Sequence, residues 1–165
     1  PDQELGLYGP GTDSGTFDYF TDEVNGEEGA SRGDYTASED DNVIVTGVTG
    51  DEGALGYFGY AYFEENSDSL KAIEIENEAG ECVGPTAETI ADGSYNPMSR
   101  PLFFYVRQDA YEAKPEVNAF VDYMLAPGNE VLIREVGYVP LPEDILASAK
   151  ARVEEGKLGS DPKAF

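Results

Sequence analysis

The sequence predicts an α/β domain on a largely parallel or mixed sheet, because strand-like and helix-like segments alternate up to about residue 106. Gly, Pro or a capping residue marks most of the changes between them. Composition supports a packed core: 40% of the 165 residues are apolar, with 11 Tyr and 8 Phe.

Residues 5–8 form a short apolar run that ends in Gly9-Pro10-Gly11, the pattern of a strand entering a turn. Ser14 then precedes Phe17, Phe20 and Val24, spaced for one face of a helix. Residues 26–36 are polar and Gly-rich and read as a loop. Ser38 with Asp41 three residues later has the form of a capping box before a helix over 43–48, although Val43-Ile44-Val45-Thr46 also has strand propensity.

After the turn at 50–53, Leu55-Gly56-Tyr57-Phe58 reads as a strand and residues 60–65 as a short helix ending near Asn66. Residues 70–75 alternate as a strand does. Residues 86–91 are expected to be a helix stopped by Gly93, and Pro97 and Pro101 bracket the entry to an apolar strand at 102–106. Helices are expected at 115–125, 131–136 and 143–156, with Val139-Pro140-Leu141-Pro142 as a connector. No repeat or low-complexity tract interrupts this order.

Charge narrows the function. With 34 acidic and 10 basic residues the net charge is -24, which excludes nucleic acid and anionic membranes as partners. Screening confines the field of exposed charges to about 8 Å at physiological salt, so close hydrogen-bond donors can still hold a small anion. The absence of His removes the Ser/His/Asp triad, a His general base and imidazole metal sites. Cys82 is the single cysteine, has no basic neighbour and reads as inert. No apolar run approaches the ~20 residues needed to span a bilayer. The acidic run Glu39-Asp40-Asp41 lacks the Gly and Glu of a calcium loop and reads as a solvated helix start. Tyr57, Phe58, Tyr60, Tyr62 and Phe63 read as core. No metal or other cofactor is expected.

The segment richest in chemistry is Gly9-Pro10-Gly11-Thr12-Asp13-Ser14-Gly15-Thr16, between a strand and a helix start. Backbone N–H groups and the positive end of the helix dipole favour an anion there. Gly15 allows close approach, and the hydroxyls of Ser14 and Thr16 can donate to phosphoryl oxygens. The same residues are equally what a capped helix needs, with Ser14 serving its own backbone. A nucleotide P-loop is excluded because its Gly-Lys-Ser/Thr ending is missing. Asp13-Ser14-Gly15 matches the core of aspartic proteases, which makes a hydrolase using Asp13 the alternative; a single copy would need a symmetric dimer to complete the dyad. Arg32 and Asp34 form a second group, either an Arg grip for a tetrahedral oxyanion oriented by a carboxylate or an ordinary surface ion pair.

Five blocks in order carry a resemblance: residues 7–20 around Gly-Pro-Gly-Thr-Asp-Ser-Gly-Thr, 32–42 (Arg-Gly-Asp-Tyr-Thr-Ala-Ser-Glu-Asp-Asp-Asn), 54–62, Ser99-Arg100-Pro101-Leu102-Phe103, and 136–142. Together they resemble the phosphate-binding proteins of bacterial phosphate-specific ABC importers. The resemblance implies a type II periplasmic binding protein, a two-lobed clamshell, with most of the first lobe missing from this chain. Residues 1–100 would be most of the second lobe with the phosphate-binding loop, and residues 101–165 the carboxy-terminal return into the first lobe. Residue 1 would then be a truncation point, and Cys82 would have lost a partner with the missing half.

The resemblance further implies reversible capture of inorganic phosphate outside the cytoplasm and delivery to the permease subunits of the importer, by a monomer and with no catalysis. Ser14, Gly15 and Thr16 take ligand roles. Many relatives place an Arg just before the Ser-Gly-Thr turn; none stands there in this sequence, so Arg32 is expected to fill the role, paired with Asp34. A carboxylate facing the ligand would accept a proton from phosphate and reject sulfate, which has none to give.

Overall fold

The computed structural model describes residues 4–159. The chain divides into two compact units, with the boundary between Ile75 and Glu76.

The first unit is a three-stranded parallel sheet with its helices. β1 (Gly6–Pro10) leads into α1 (Gly15–Asn25), β2 (Thr36–Ser38) into α2 (Asp41–Thr49), and β3 (Ala54–Gly56) precedes α3 (Tyr60–Glu65). The strand order is β2-β1-β3, so β1 is central and both neighbours run parallel to it. Tyr8 lies opposite Thr36 and Pro10 opposite Ser38 on one side, and Gly6 lies opposite Ala54 on the other. Pro10 has no N–H to offer a ladder, and it falls at the last position of its strand.

Both long helices of this unit follow from local signals completed by burial. α1 begins at Ser14, whose Oγ accepts the Thr16 N–H at 3.2 Å, and ends at Gly26 in the left-handed region. Phe17 and Thr21, one turn apart, are its buried residues. Thr21 is 1% exposed, and its hydroxyl donates to the Phe17 carbonyl at 2.8 Å and accepts the Gly29 N–H at 2.8 Å. In α2 the β-branched run expected to waver between strand and helix is helical, because Ile44 and Val45 are buried and the helix packs on all three strands. Its cap corrects the expected Ser38 box: Asp40 is the N-cap and accepts the Asn42 N–H, while the Ser38 hydroxyl accepts the Asp40 N–H at 3.0 Å.

The second unit is mainly helical. A hairpin of β4 (Ile75–Glu76) and β5 (Cys82–Val83) is followed by α4 (Ala87–Ala91), α5 (Gln108–Ala113), α6 (Pro115–Met124), α7 (Glu130–Glu135) and α8 (Glu143–Glu154). A reciprocal capping box sits at Thr86 and Thr89, and Pro115 opens α6 at a position where its missing N–H costs nothing. α5 and α6 pack together, and Val121 and Leu125 form the buried core of this unit.

Two expected strands are corrected. In 70–75 only Ile75 joins a strand, and residues 101–107 have no regular structure. Among the described residues nothing pairs with the apolar run, and Leu102, Phe103, Phe104 and Tyr105 are 60%, 49%, 44% and 84% exposed. Strand propensity is realised only against a neighbouring strand, which this segment does not have here. The aromatic set from Tyr57 to Phe63 is half-buried rather than core. Cys82 is exposed and free, and no helix among the described residues is long and apolar enough to cross a membrane.

Candidate functional site

The turn of residues 11–14 lies at the carboxyl edge of the sheet, directly after the central strand and at the start of α1. In open parallel sheets this edge is where ligands are taken, since strand ends and helix N-termini converge there. The end of the strand is held from the β2 side by two contacts: the Gly11 N–H donates to the Ser38 carbonyl at 3.2 Å, and the Tyr35 hydroxyl donates to the Pro10 carbonyl at 2.9 Å.

Aromatic rings set the height of the turn over the sheet. Phe20 of α1 stacks on Tyr57, with ring centroids 3.9 Å apart and an interplanar angle of 14°. The Tyr57 ring lies against Gly9 so closely that a Cβ there would be 2.7 Å from its Cε1. Burial, and secondarily Tyr35, push the Tyr57 phenol up to about 12.

Of the expected ligand residues, Ser14, Gly15 and Thr16 stand together at this edge, and Ser14 is a genuine cap. Arg32 and Asp34 are not brought to them. Thr36 pairs with Tyr8, so Arg32 and Asp34 precede the entry of β2, at the opposite edge of the sheet from Ser14. They form a bidentate pair, Nε to Oδ1 at 2.5 Å and the second Arg32 nitrogen to Oδ2 at 2.6 Å, with side chains 63% and 68% exposed. The hydrogen bond from Arg32 holds the Asp34 carboxyl below its ordinary value. Asp34 also lines a cleft of about 320 Å³ at that edge together with Glu4 and Asp51. Three carboxylates make that cleft unsuited to an anion.

The acidic run has three separate roles instead of one solvated face. Asp40 caps α2. Asp41 is half-buried, and desolvation raises its pKa against an opposing hydrogen bond from the Gly59 N–H. Glu39 reaches the turn itself: its Oε1 accepts the Asp13 N–H at 3.4 Å. Sequence reasoning passed over Glu39 because it depends on β2, whose three small residues, Thr36, Ala37 and Ser38, gave no strand signal and left the carboxyl edge unlocated.

Asp13, the residue of the hydrolase alternative, is exposed. Among the described residues no group of three His, Cys, Asp or Glu side chains is placed to hold a metal.

A parallel sheet with a capped helix start at its carboxyl edge is an arrangement at which α/β proteins take small ligands, anions among them. The chain belongs to the PBP superfamily: residues 1–127 match the PBP superfamily domain. It is 44% identical over 160 residues to Protein SphX of Synechococcus elongatus, covering 97% of this chain and 47% of that protein. It is 33% identical over 165 residues to the phosphate-binding protein PstS of Staphylococcus saprophyticus, covering 99% of this chain and 49% of that protein. The crystal structure of a possible phosphate binding protein from Planctomyces limnophilus superposes with a TM-score of 0.79 at 43% identity, over 96% of this chain and 56% of that one. PstS from Borrelia burgdorferi shares the fold, with a TM-score of 0.56 at 17% identity, over 86% of this chain and 55% of that one. The chain thus spans about half the length of the relatives it matches, and relatives named phosphate-binding are among them, as the five sequence blocks led one to expect.

Proposed function

We propose that this chain is part of a phosphate-binding protein that captures inorganic phosphate outside the cytoplasm and delivers it to the permease of an ABC importer, without catalysis. The observation that carries this reading is the likeness, over nearly the whole chain, to proteins named phosphate-binding. The turn before α1 gives it a local rationale: hydroxyls of Ser14 and Thr16 and the backbone at Gly15 are grouped where a helix dipole favours an anion. No relative reported above is named as a hydrolase, and exposed Asp13 gives the alternative no independent support.

Within the complete protein, residues 1–100 are assigned to one lobe and residues 101–165 to the return into the other. The exposed apolar run at 102–105 is consistent with a strand whose neighbours belong to that other lobe. A place for Arg32 and Asp34 at the ligand would require the loop of residues 26–35 to fold over the carboxyl edge. Arg32→Ala tests it: strongly weakened phosphate binding puts Arg32 at the ligand, and unchanged affinity removes it.

The deciding experiment is calorimetric titration of the full-length protein with phosphate and with sulfate, on the parent and on Ser14→Asp. Aspartate is as good an N-cap as serine, so the helix is kept while a negative charge enters the turn. Phosphate binding by the parent, lost in Ser14→Asp at unchanged melting temperature, is the expected result. Equal binding by both proteins would take the ligand away from this turn.

A further inference from the structure

We infer that Glu39 is an internal competitor for the anion turn, a carboxylate of the chain's own that takes the place of the ligand when none is bound and must be displaced before an oxyanion can enter. The inference rests on the phosphate-binding reading of the Ser14 turn and adds to it the residue that sets how readily the turn is given up.

Three observations place the carboxylate there. The parallel register puts Ser38 opposite Pro10, and the Gly11 N–H bonds to the Ser38 carbonyl, so the next residue of β2's exit lands over the turn. The Glu39 Oε1 then accepts the Asp13 N–H at 3.4 Å. Gly11 supplies the third: a Cβ on it would lie 1.9 Å from Glu39 Oε1 and 2.7 Å from its Cδ. Gly11 has no positive φ, so its backbone does not require glycine. The space its missing side chain leaves is filled by the Glu39 carboxylate. The charge is felt on the neighbouring strand end as well, because Glu39 adds to burial in raising the Tyr35 phenol.

Among the described residues no cation pairs with Glu39. Its nearest compensation is the backbone of the turn. A dianion held at Ser14–Thr16 would sit beside the Asp13 N–H that Glu39 occupies and bring a second negative charge against the first, so the two occupants oppose one another. Whatever fraction of the time the carboxylate holds the turn is lost from the binding-competent population, and apparent affinity falls by that factor.

Two variants of the full-length protein separate this from a general field effect. Glu39→Gln removes the charge, whereas Gly11→Ala keeps the charge and ejects the carboxylate with a methyl group. Calorimetric titration with phosphate and with sulfate should show both variants binding both anions more tightly than the parent, by roughly tenfold if the carboxylate holds the turn nine-tenths of the time. Weaker phosphate binding by Glu39→Gln would make Glu39 a ligand contact and overturn the inference. So would tightening in Glu39→Gln alone, which would mark a long-range charge effect, or unchanged affinities in both variants. In each of those cases the parent still binds phosphate, and the functional reading stands. Failure of the parent and both variants to bind phosphate would overturn the reading and the inference together.

Discussion

The ring of Phe20 rests on the ring of Tyr57 at 3.9 Å between centroids, and this contact ties the second turn of α1 to the segment that follows β3. It fixes the start of that helix over the central strand, where the anion turn begins. Replacing Tyr57 by Phe keeps the stack and should leave stability nearly unchanged, whereas Tyr57→Ala removes a half-buried ring and should cost about 1–3 kcal/mol. Urea denaturation of the two variants checks the difference.

The Tyr57 phenol also offers a spectroscopic handle. Its ionisation is held up to about 12, first by burial and then by Tyr35. Ultraviolet titration of the tyrosines should therefore show a late step near the upper end of the accessible range, and that step should vanish in Tyr57→Phe. An unchanged curve would mean that the ring is open to water.

Gly9→Ala places a methyl 2.7 Å from Tyr57 Cε1 and 3.3 Å from Tyr35 Cε2. One ring has to give way, and overpacking of this kind costs about 1–3 kcal/mol. The expected result is a lower denaturation midpoint with the slope preserved. Combination with Tyr57→Ala should recover much of the loss, since the obstacle is then gone.

Thr21→Val preserves shape and removes the hydroxyl that accepts the Gly29 N–H in a site 1% exposed. Gly29 itself is exposed and its N–H can turn to water, so the loss lies at the lower end of the range for a hydrogen bond, about 1 kcal/mol, and chemical denaturation should show a loss of that size. Amide exchange at Gly29 should accelerate in parallel.

Asp41 gives a pH dependence whose sign follows from its environment. Desolvation, the strongest influence on it, raises its folded pKa above the ordinary 3.8. The folded state then binds the proton more tightly than the unfolded one, so this group's contribution is present below 3.8 and declines as pH rises through the folded value. Asp41→Asn removes that decline. Thermal melts should show the variant gaining on the parent between acid and neutral pH, with its amide oxygen still accepting the Gly59 N–H.

Much of the helical structure was legible because its signals are local. Ser14 as the cap of α1, the helix ending at Asn66 and the entry of α6 at Pro115 each depend on residues a few positions apart. Strands depend on neighbours that sequence does not supply. Residues 36–38 became a strand because Tyr8, Gly9 and Pro10 pair with them, though Thr-Ala-Ser is short and has no apolar alternation. Residues 102–106 have the composition and no such neighbour among those described. The candidate site divides along the same line: the Ser14 turn was visible in one continuous segment, and Glu39 only once the register of β2 against β1 was known.

The uncovered side chains of Leu102 to Tyr105 also bear on handling. Copies of this chain carry a net charge of -24 and repel one another in dilute buffer, which keeps these greasy surfaces apart. In molar salt the Debye length shrinks to about 3 Å and that protection disappears. Precipitation or self-association of the isolated chain should therefore set in as salt is added, the reverse of ordinary salting-in, with the segment of residues 102–105 as the point of adhesion.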